Sequence, residues 1–191
     1  MRTLTYYVGM TLDGYIAGPG GEIDFFPLSD EFVGFLRDEF ADALPTHVRK
    51  ALGVADAPNR RFDTVIMGRA TYEPALALGI KSPYAHLRQY VVSTTLPQES
   101  PDVTVVAGDP LATVRALKAE EGLGIYLAGG AKLAGALLPE IDELILKIYP
   151  VVAGRGIPLF HAGFQPTLFE AGARRFFANG TAVLTFRRPR T

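Results

Sequence analysis

Three short stretches of this sequence carry residue types that hold phosphate. Gly68-Arg69-Ala70-Thr71 sets a guanidinium and a hydroxyl beside a bare glycine. Ser93-Thr94-Thr95 is a run of hydroxyls, and Gly129-Gly130-Ala131-Lys132 is a glycine pair followed by an ammonium. Glycine lets backbone amides approach an anion with no Cβ in between. A helix starting there adds unpaired N–H groups and the positive end of its dipole. One exposed helix start contributes only about 0.3–1 kcal/mol per charge, so useful affinity requires several to converge. Together the stretches suit a ligand with more than one phosphate.

Acid chemistry is sparser. Asp24, between Ile23 and Phe25, and Asp30, just after Ser29, are candidates for a proton donor or a substrate-holding carboxylate. Each also fits a plain structural role, Asp24 as a turn former and Asp30 as a first-turn helix acid. Asp13, before Gly14, reads as structural rather than catalytic, and Tyr149 as a pocket-lining residue. His47, His86 and His161 are scattered and cysteine is absent, so neither a metal site nor a thiolate is expected.

The elements that must position these groups alternate. Leu4 to Val8 predicts a first strand. A long loop, Gly9 to Leu28, holds Met10, Leu12, Tyr15, Ile16, Phe25 and Phe26; so many apolar groups predict a packed loop lining a pocket. Ser29 caps a helix whose apolar face is Phe32, Phe35, Leu36 and Phe40, ending at Pro45. Residues 46–61, with Arg49-Lys50 and Arg60-Arg61, read as a solvated excursion. Asp63 to Met67 is a buried strand running into a helix from Gly68 to Gly79. Gln89 to Val92 and Val103 to Val106 are further strands. Asp109-Pro110 opens a helix to Gly122. Ile125 to Ala128 leads through the glycine pair into a helix ending near Pro139. Leu144 to Val152 is a long strand, broken by Gly154-Arg155-Gly156 before Ile157 to Phe160. The tail reads as strands at Thr167 to Glu170, Arg174 to Phe177 and Thr181 to Arg187, the last after an Asn179-Gly180 turn. Arg187-Arg188-Pro189-Arg190 reads as a solvated basic end.

This order predicts an α/β fold: a mostly parallel central sheet, helices on both faces, and antiparallel C-terminal strands. Ligands of open α/β sheets bind at the carboxyl ends of strands, where all three phosphate-type stretches fall. The 191 residues suit a single domain, 1–191. A hydrophobic fraction of 48% argues against disorder, and a formal net charge of −1 against nucleic acid or an anionic membrane as partner. The first residues are too few and too polar for a signal segment, and no apolar run reaches membrane-spanning length. A cytoplasmic protein acting on a small molecule is the expectation.

The motifs also resemble a known family. Met67 to Glu73 is similar to the glycine–arginine–x–threonine motif of dihydrofolate reductases, and Leu127 to Ala131 resembles the glycine pair of that fold. Met10 to Ala17 looks like the first loop, and Ile148 to Phe160 the proline–glycine segment, of the reductase domain of the riboflavin-biosynthesis deaminase–reductase. All four occur in order over nearly the whole chain. The resemblance implies a dihydrofolate reductase-like fold in a stand-alone riboflavin-type reductase domain that uses NADPH. Gly68, Arg69 and Thr71 would hold the pyrophosphate and adenosine 2′-phosphate, and Ser93 and Thr94 would face the 2′-phosphate. Gly129, Gly130, Ala131, Lys132 and Leu133 would cradle the pyrophosphate. Ile16 and Ala17 would lie against the nicotinamide, with the glycine-rich loop as a lid.

The implied reaction is reduction of a heterocyclic small molecule, similar to that of 5-amino-6-(5-phosphoribosylamino)uracil reductase. Two other readings stay open: a dihydrofolate reductase, through Asp30, and a non-catalytic nucleotide-binding module of the same fold. The chain departs from both enzyme patterns. Tyr7 and Tyr15 stand where riboflavin reductases carry lysines, and Leu146 where dihydrofolate reductases carry the threonine paired with their carboxylate. The resemblance also implies a homodimer, in keeping with Phe164, Phe169, Phe176, Phe177 and Phe186 near the C-terminus, and a cis peptide between Gly129 and Gly130.

Overall fold

Neighbouring residues of the central strands face opposite ways, and the sequence uses both sides. Tyr6, Ile66, Ile125, Leu127, Leu144 and Leu146 pack on one face of the sheet; Tyr7, Val65, Met67, Tyr126 and Ile145 pack on the other. A strand apolar on both faces must be covered on both. The computed structural model, which describes residues 1–97 and 101–189, has helices on each side. The strands are β1 (Leu4–Met10), β2 (Tyr15–Ala17), β3 (Phe62–Gly68), β4 (Arg88–Val92), β5 (Thr104–Val106), β6 (Gly124–Gly129), β7 (Glu143–Ile148), β8 (Ile157–Pro158), β9 (Glu170–Phe176) and β10 (Ala182–Arg187). The helices are α1 (Asp30–Glu39), α2 (Thr46–Ala51), α3 (Arg69–Ala77), α4 (Pro110–Ala119) and α5 (Ala131–Leu137).

The main sheet runs β5-β4-β3-β6-β1-β7-β10-β9. Strands β5 through β7 in that order are mutually parallel; β10 is antiparallel to β7 and to β9. Val114 and Leu117 of α4 and Leu133, Ala134 and Leu137 of α5 cover the first face. Phe32 of α1 and Tyr72 of α3 cover the second. The predicted caps form: Ser29 Oγ accepts the Phe32 amide at 3.3 Å, and Asp109 Oδ1 accepts that of Leu111 at 2.9 Å. The peptide between Gly129 and Gly130 is cis, as expected.

Five local expectations need correction. The first loop contains β2, which pairs with β8 in a small second sheet. The long seventh strand stops at Ile148 rather than Val152, and the two tail segments predicted around 167–177 are one strand, β9. Arg188 is not a solvated end: it donates to the carbonyls of Ile141 (2.8 Å) and Leu138 (2.5 Å); Arg190 lies outside the described residues. The stretch 46–61 is not a solvated excursion either. It contains α2, and Arg49 is only 2% exposed. Its guanidinium donates to Ala41 O at 2.7 Å, Ala57 O at 2.5 Å and Ala55 O at 3.3 Å. Beside it, buried Asp42 accepts the amides of Arg60, Arg61 and Phe62 at 3.0, 2.6 and 3.0 Å, fixing the start of β3.

Replacing Arg49 by Ala removes the donors of three part-buried carbonyls. Buried acceptors left unpaired cost about 1–3 kcal/mol each before relaxation. Arg49→Ala is expected to lower unfolding free energy by roughly 3 kcal/mol in urea titrations, against under about 0.5 kcal/mol for the exposed neighbour in Lys50→Ala.

Candidate functional site

Strands β3 and β6 are neighbours, and each ends in glycine and turns into a helix. Met67 pairs with Gly129 across them, so the two junctions lie side by side. A Cβ on Gly68 would stand 3.8 Å from Gly129 O, 3.9 Å from Gly130 N and 3.9 Å from Leu133 Cβ. A Cβ on Gly129 or Gly130 would stand 3.9 or 3.8 Å from Thr71 Oγ1. Gly68, Thr71, Gly129, Gly130 and Leu133 therefore form one patch of backbone with little side chain over it. Gly129 has φ +110°, which disfavours any residue with a Cβ. Lys132, in the first turn of α5, is exposed.

The third stretch joins this patch through Arg69. Gly68 pairs with Val92, so β4 ends beside β3. Arg69 donates through Nη1 to Thr95 Oγ1 and through Nε to Glu73 at 2.6 Å. Its side chain is still 47% exposed, so the pair with Glu73 positions the guanidinium more than it stabilises the fold. Ser93 plays another part than its hydroxyl suggested. It is buried, and its Oγ accepts the amides of Thr95 (3.2 Å) and Leu96 (3.1 Å), shaping the turn. Thr94 and Thr95 are exposed. Thr95, rather than Thr94, holds Arg69; only the folded turn reveals that choice.

The first loop is laced to the segment after β7. Thr11 and Tyr15 close a tight turn, with Thr11 N donating to Tyr15 O at 2.8 Å and Tyr15 N to Thr11 Oγ1 at 3.0 Å. Leu12 N donates to Val151 O at 2.8 Å and Leu159 N to Gly14 O at 2.9 Å. Half-buried Ile16 and buried Ala17 sit on β2, held against β8. A Cβ at Gly156 would run into Ala17 O, and one at Gly135 into His161 O, so both glycines permit backbone contact. His161 N then donates to Ala131 O at 3.0 Å. Residues 156–161 thus tie the loop bearing Ile16 and Ala17 to the start of α5. Asp13, structural as expected, accepts the amides of Ala153 (3.1 Å) and Gly154 (2.7 Å). The Thr11 hydroxyl, then these amides, hold its carboxyl down at about 2.

On the α1 side, β1 and β7 carry aromatic rings at their ends. Tyr149 is buried, with ring centroids 4.5 Å from Phe26 and 5.7 Å from Phe32. Burial pushes its hydroxyl up to about 12. Asp30, the first residue of α1, and Asp24, in the loop before it, are both exposed, and among the described residues neither carboxylate is hydrogen-bonded. Leu146 packs on the face away from α1; its neighbour Lys147 is on the α1 side, its Nζ 4.0 Å above the Tyr7 ring. Two surface cavities, of 270 and 330 Å³, are lined by none of the glycine-junction residues. Among the described residues no group of three His, Cys, Asp or Glu is placed to hold a metal, and no helix is long and apolar enough to cross a membrane.

A family model described as the RibD C-terminal domain matches residues 2–180. The chain belongs to that family. Among its relatives, the uncharacterized protein YwjB of Bacillus subtilis (strain 168) is 37% identical over 164 residues, covering 84% of this chain and 83% of YwjB. The uncharacterized protein YyaP of the same strain is 25% identical over 198 residues, covering 97% and 94%. A crystal structure from Shewanella sp. PV-4, provisionally named a riboflavin biosynthesis protein, superposes with a TM-score of 0.72 at 23% identity, over 99% of this chain and 100% of that one. The fold is therefore that of the riboflavin-type reductases, and membership of the RibD C-terminal family supports a RibD-like reductase.

The Asp13 clamp makes a pH-dependent prediction. A carboxyl depressed in the folded state stabilises above its ordinary value of 3.8, and that contribution is lost as pH falls through about 2. The amide proton shifts of Ala153 and Gly154 should titrate together with a midpoint near 2 by NMR. Asp13→Ala should abolish that titration and speed proteolytic cleavage in the 151–156 segment.

Proposed function

We propose that this chain is an NADPH-dependent reductase of a flat heterocyclic small molecule. The observation that carries the reading is the pairing of two glycine-edged strand ends, with Arg69 held open to solvent beside them. Bare backbone at Gly68, Gly129 and Gly130 leaves room for a pyrophosphate, and Thr71 Oγ1 stands ready to donate to it. The first-turn amides of α5 at Ala131, Lys132 and Leu133 have no partner within the helix. Arg69 supplies a permanent, forked cation for a 2′-phosphate, with the exposed Thr94 and Thr95 hydroxyls around it and Ser93 building the turn. Ile16 and Ala17 are the residues assigned to the nicotinamide. When bound, the cofactor supplies the hydride; the protein supplies position and a proton source.

Asp30 and Asp24 remain the carboxylates offered to the substrate side. The dihydrofolate reductase reading gains nothing from Leu146, which lies on the opposite face of the sheet from α1. The family generally uses NADPH, which favours a working reductase over a non-catalytic module.

Fluorescence titration of both cofactors checks this. NADPH should bind more tightly than NADH. Arg69→Ala should weaken NADPH about tenfold or more while changing NADH little. Equal affinities, or NADPH binding unchanged in the variant, would overturn it. NADPH oxidation with dihydrofolate and with 5-amino-6-(5-phosphoribosylamino)uracil then separates the two enzyme readings from a module that only binds.

A homodimer is part of the proposal. Phe164 is 99% exposed, Leu168 75% and Phe176 70%. Phe164 and Leu168 belong to the 160–169 segment that lines a surface groove with Leu138, and Phe176 ends the wholly exposed strand β9. A clustered apolar surface of this kind marks an interface. Light scattering at micromolar concentration should give twice the chain mass, and Phe164→Asp should shift it toward the monomer.

A further inference from the structure

Lys147 is the charged residue that the reductase reading leaves without a task. On β7 it lies opposite Gly9 of β1 and Val183 of β10. It shares its face with Ile145 and Tyr149, the face covered by α1. The side chain is half-buried, with Nζ 4.0 Å above the Tyr7 ring. Among the described residues no carboxylate pairs with it and no hydrogen bond reaches it. One aromatic face does not replace the water an ammonium has given up. Desolvation accordingly pulls it down to about 8. Buried cations elsewhere in the chain are paired: Arg2 with Asp63, Lys118 with Asp142 and Glu140, and Arg49 with three carbonyls.

Its surroundings are aromatic. Gly9 presents no side chain beside Lys147, and a Cβ there would stand 2.9 Å from the Tyr149 ring, which crosses that position. Tyr149 in turn meets Phe26 and Phe32. The Lys147 side chain keeps partial exposure, whereas the neighbouring Tyr7 hydroxyl is buried without a partner. An unpaired donor at the carboxyl ends of strands, among flat rings, is where a conjugated ligand would place a polar edge. The sign of the charge selects the ligand. Asp30 stays exposed on the first residue of α1, whereas the charge drawn in among the rings is positive.

We propose that Lys147 is the substrate-recognising residue of this site, its ammonium taking an anionic oxygen of a flat, conjugated heterocycle that approaches over the half-buried Phe26. This rests on the reductase reading and narrows it. The substrate class is an acidic or enolised oxo-heterocycle rather than a ring that carries positive charge when bound. Lys147 binds; the proposal gives it no proton to transfer.

Calorimetry on the full chain, with and without NADPH, tests this using matched probes: orotate against uracil, and lumazine-6-carboxylate against lumazine. At least one anionic probe should bind about tenfold or more tightly than its neutral partner. Lys147→Met should erase that preference, and Lys147→Arg should restore most of it. Lys147→Met should melt no lower than the wild type, since a lone desolvated cation opposes folding. The proposal is overturned if no anionic probe binds at about 1 mM, if the preference survives in Lys147→Met, or if that variant melts well below wild type with binding unchanged. Failure of NADPH to bind would defeat the reductase reading alone, because the cofactor-free arm still reports on Lys147.

Discussion

The arrangement depends on a backbone passing where side chains would forbid it. Residues 156–161 run between the first loop and the start of α5, close enough that Cβ atoms at Gly156 and Gly135 would collide with carbonyl oxygens. That passage lets β8 pair with β2, Leu159 bond Gly14, and His161 bond Ala131. It also brings the Tyr6 hydroxyl to Leu159 O at 3.1 Å, linking the segment to the centre of the sheet. Without it, the loop carrying Ile16 and Ala17 would be tethered only through the Asp13 clamp and a few turn bonds. The two glycine junctions would keep their places, since those follow from the β3–β6 pairing. The loop facing them would not.

The opposite end of the sheet is held by charge. Arg2 is buried and donates to Asp63 and Thr64, while Asp63 accepts the Leu123 amide at 2.7 Å. Lys118 reaches Asp142 and Glu140, and Asp142 accepts the Leu4 amide at 2.8 Å. These pairs join strand starts to the helix and loop ends that precede them. Buried pairs add less net stability than their geometry suggests; their effect here is to fix register. The carboxyl ends, in contrast, are left with Arg69, Lys132 and Lys147 turned toward solvent or rings. Buried ion pairs gather at one end, and exposed or unpaired cations at the other.

What was legible in the sequence follows from distance along the chain. Both glycine junctions, the Ser29 and Asp109 caps and the alternation of β1, β3 and β6 are local patterns, and each could be read within about ten residues. Arg49 looked solvated because its polar neighbours, Lys50 and Arg60, are; its burial depends on carbonyls at 41, 55 and 57 arriving around it. Arg188 meets carbonyls 47 and 50 residues earlier, and no local signal marks that. Strands β2 and β8 are too short for periodicity to show and exist only as partners. Lys147 carries no local signal for the same reason: an alternating apolar strand puts it on the α1 face, but its lack of a counter-charge is visible only once β1 and β10 flank it. The Ser93 run was read for its hydroxyls, whereas the fold spends one of them on the turn.

The order of strands in the sheet has a corollary. The residues assigned to the dinucleotide phosphates follow β3, β4 and β6, those assigned to the nicotinamide sit on β2, and those assigned to the substrate lie on β7 and the approach to α1, with β1 between β6 and β7. Gly9 and Lys147 are cross-strand partners on the β1–β7 seam. Substitutions at such positions can retune ring size or charge preference without disturbing a single contact in the glycine-edged cradle. On this assignment the phosphate cradle and the charge that reads the ring stand on different strands, so a change in one need not move the other.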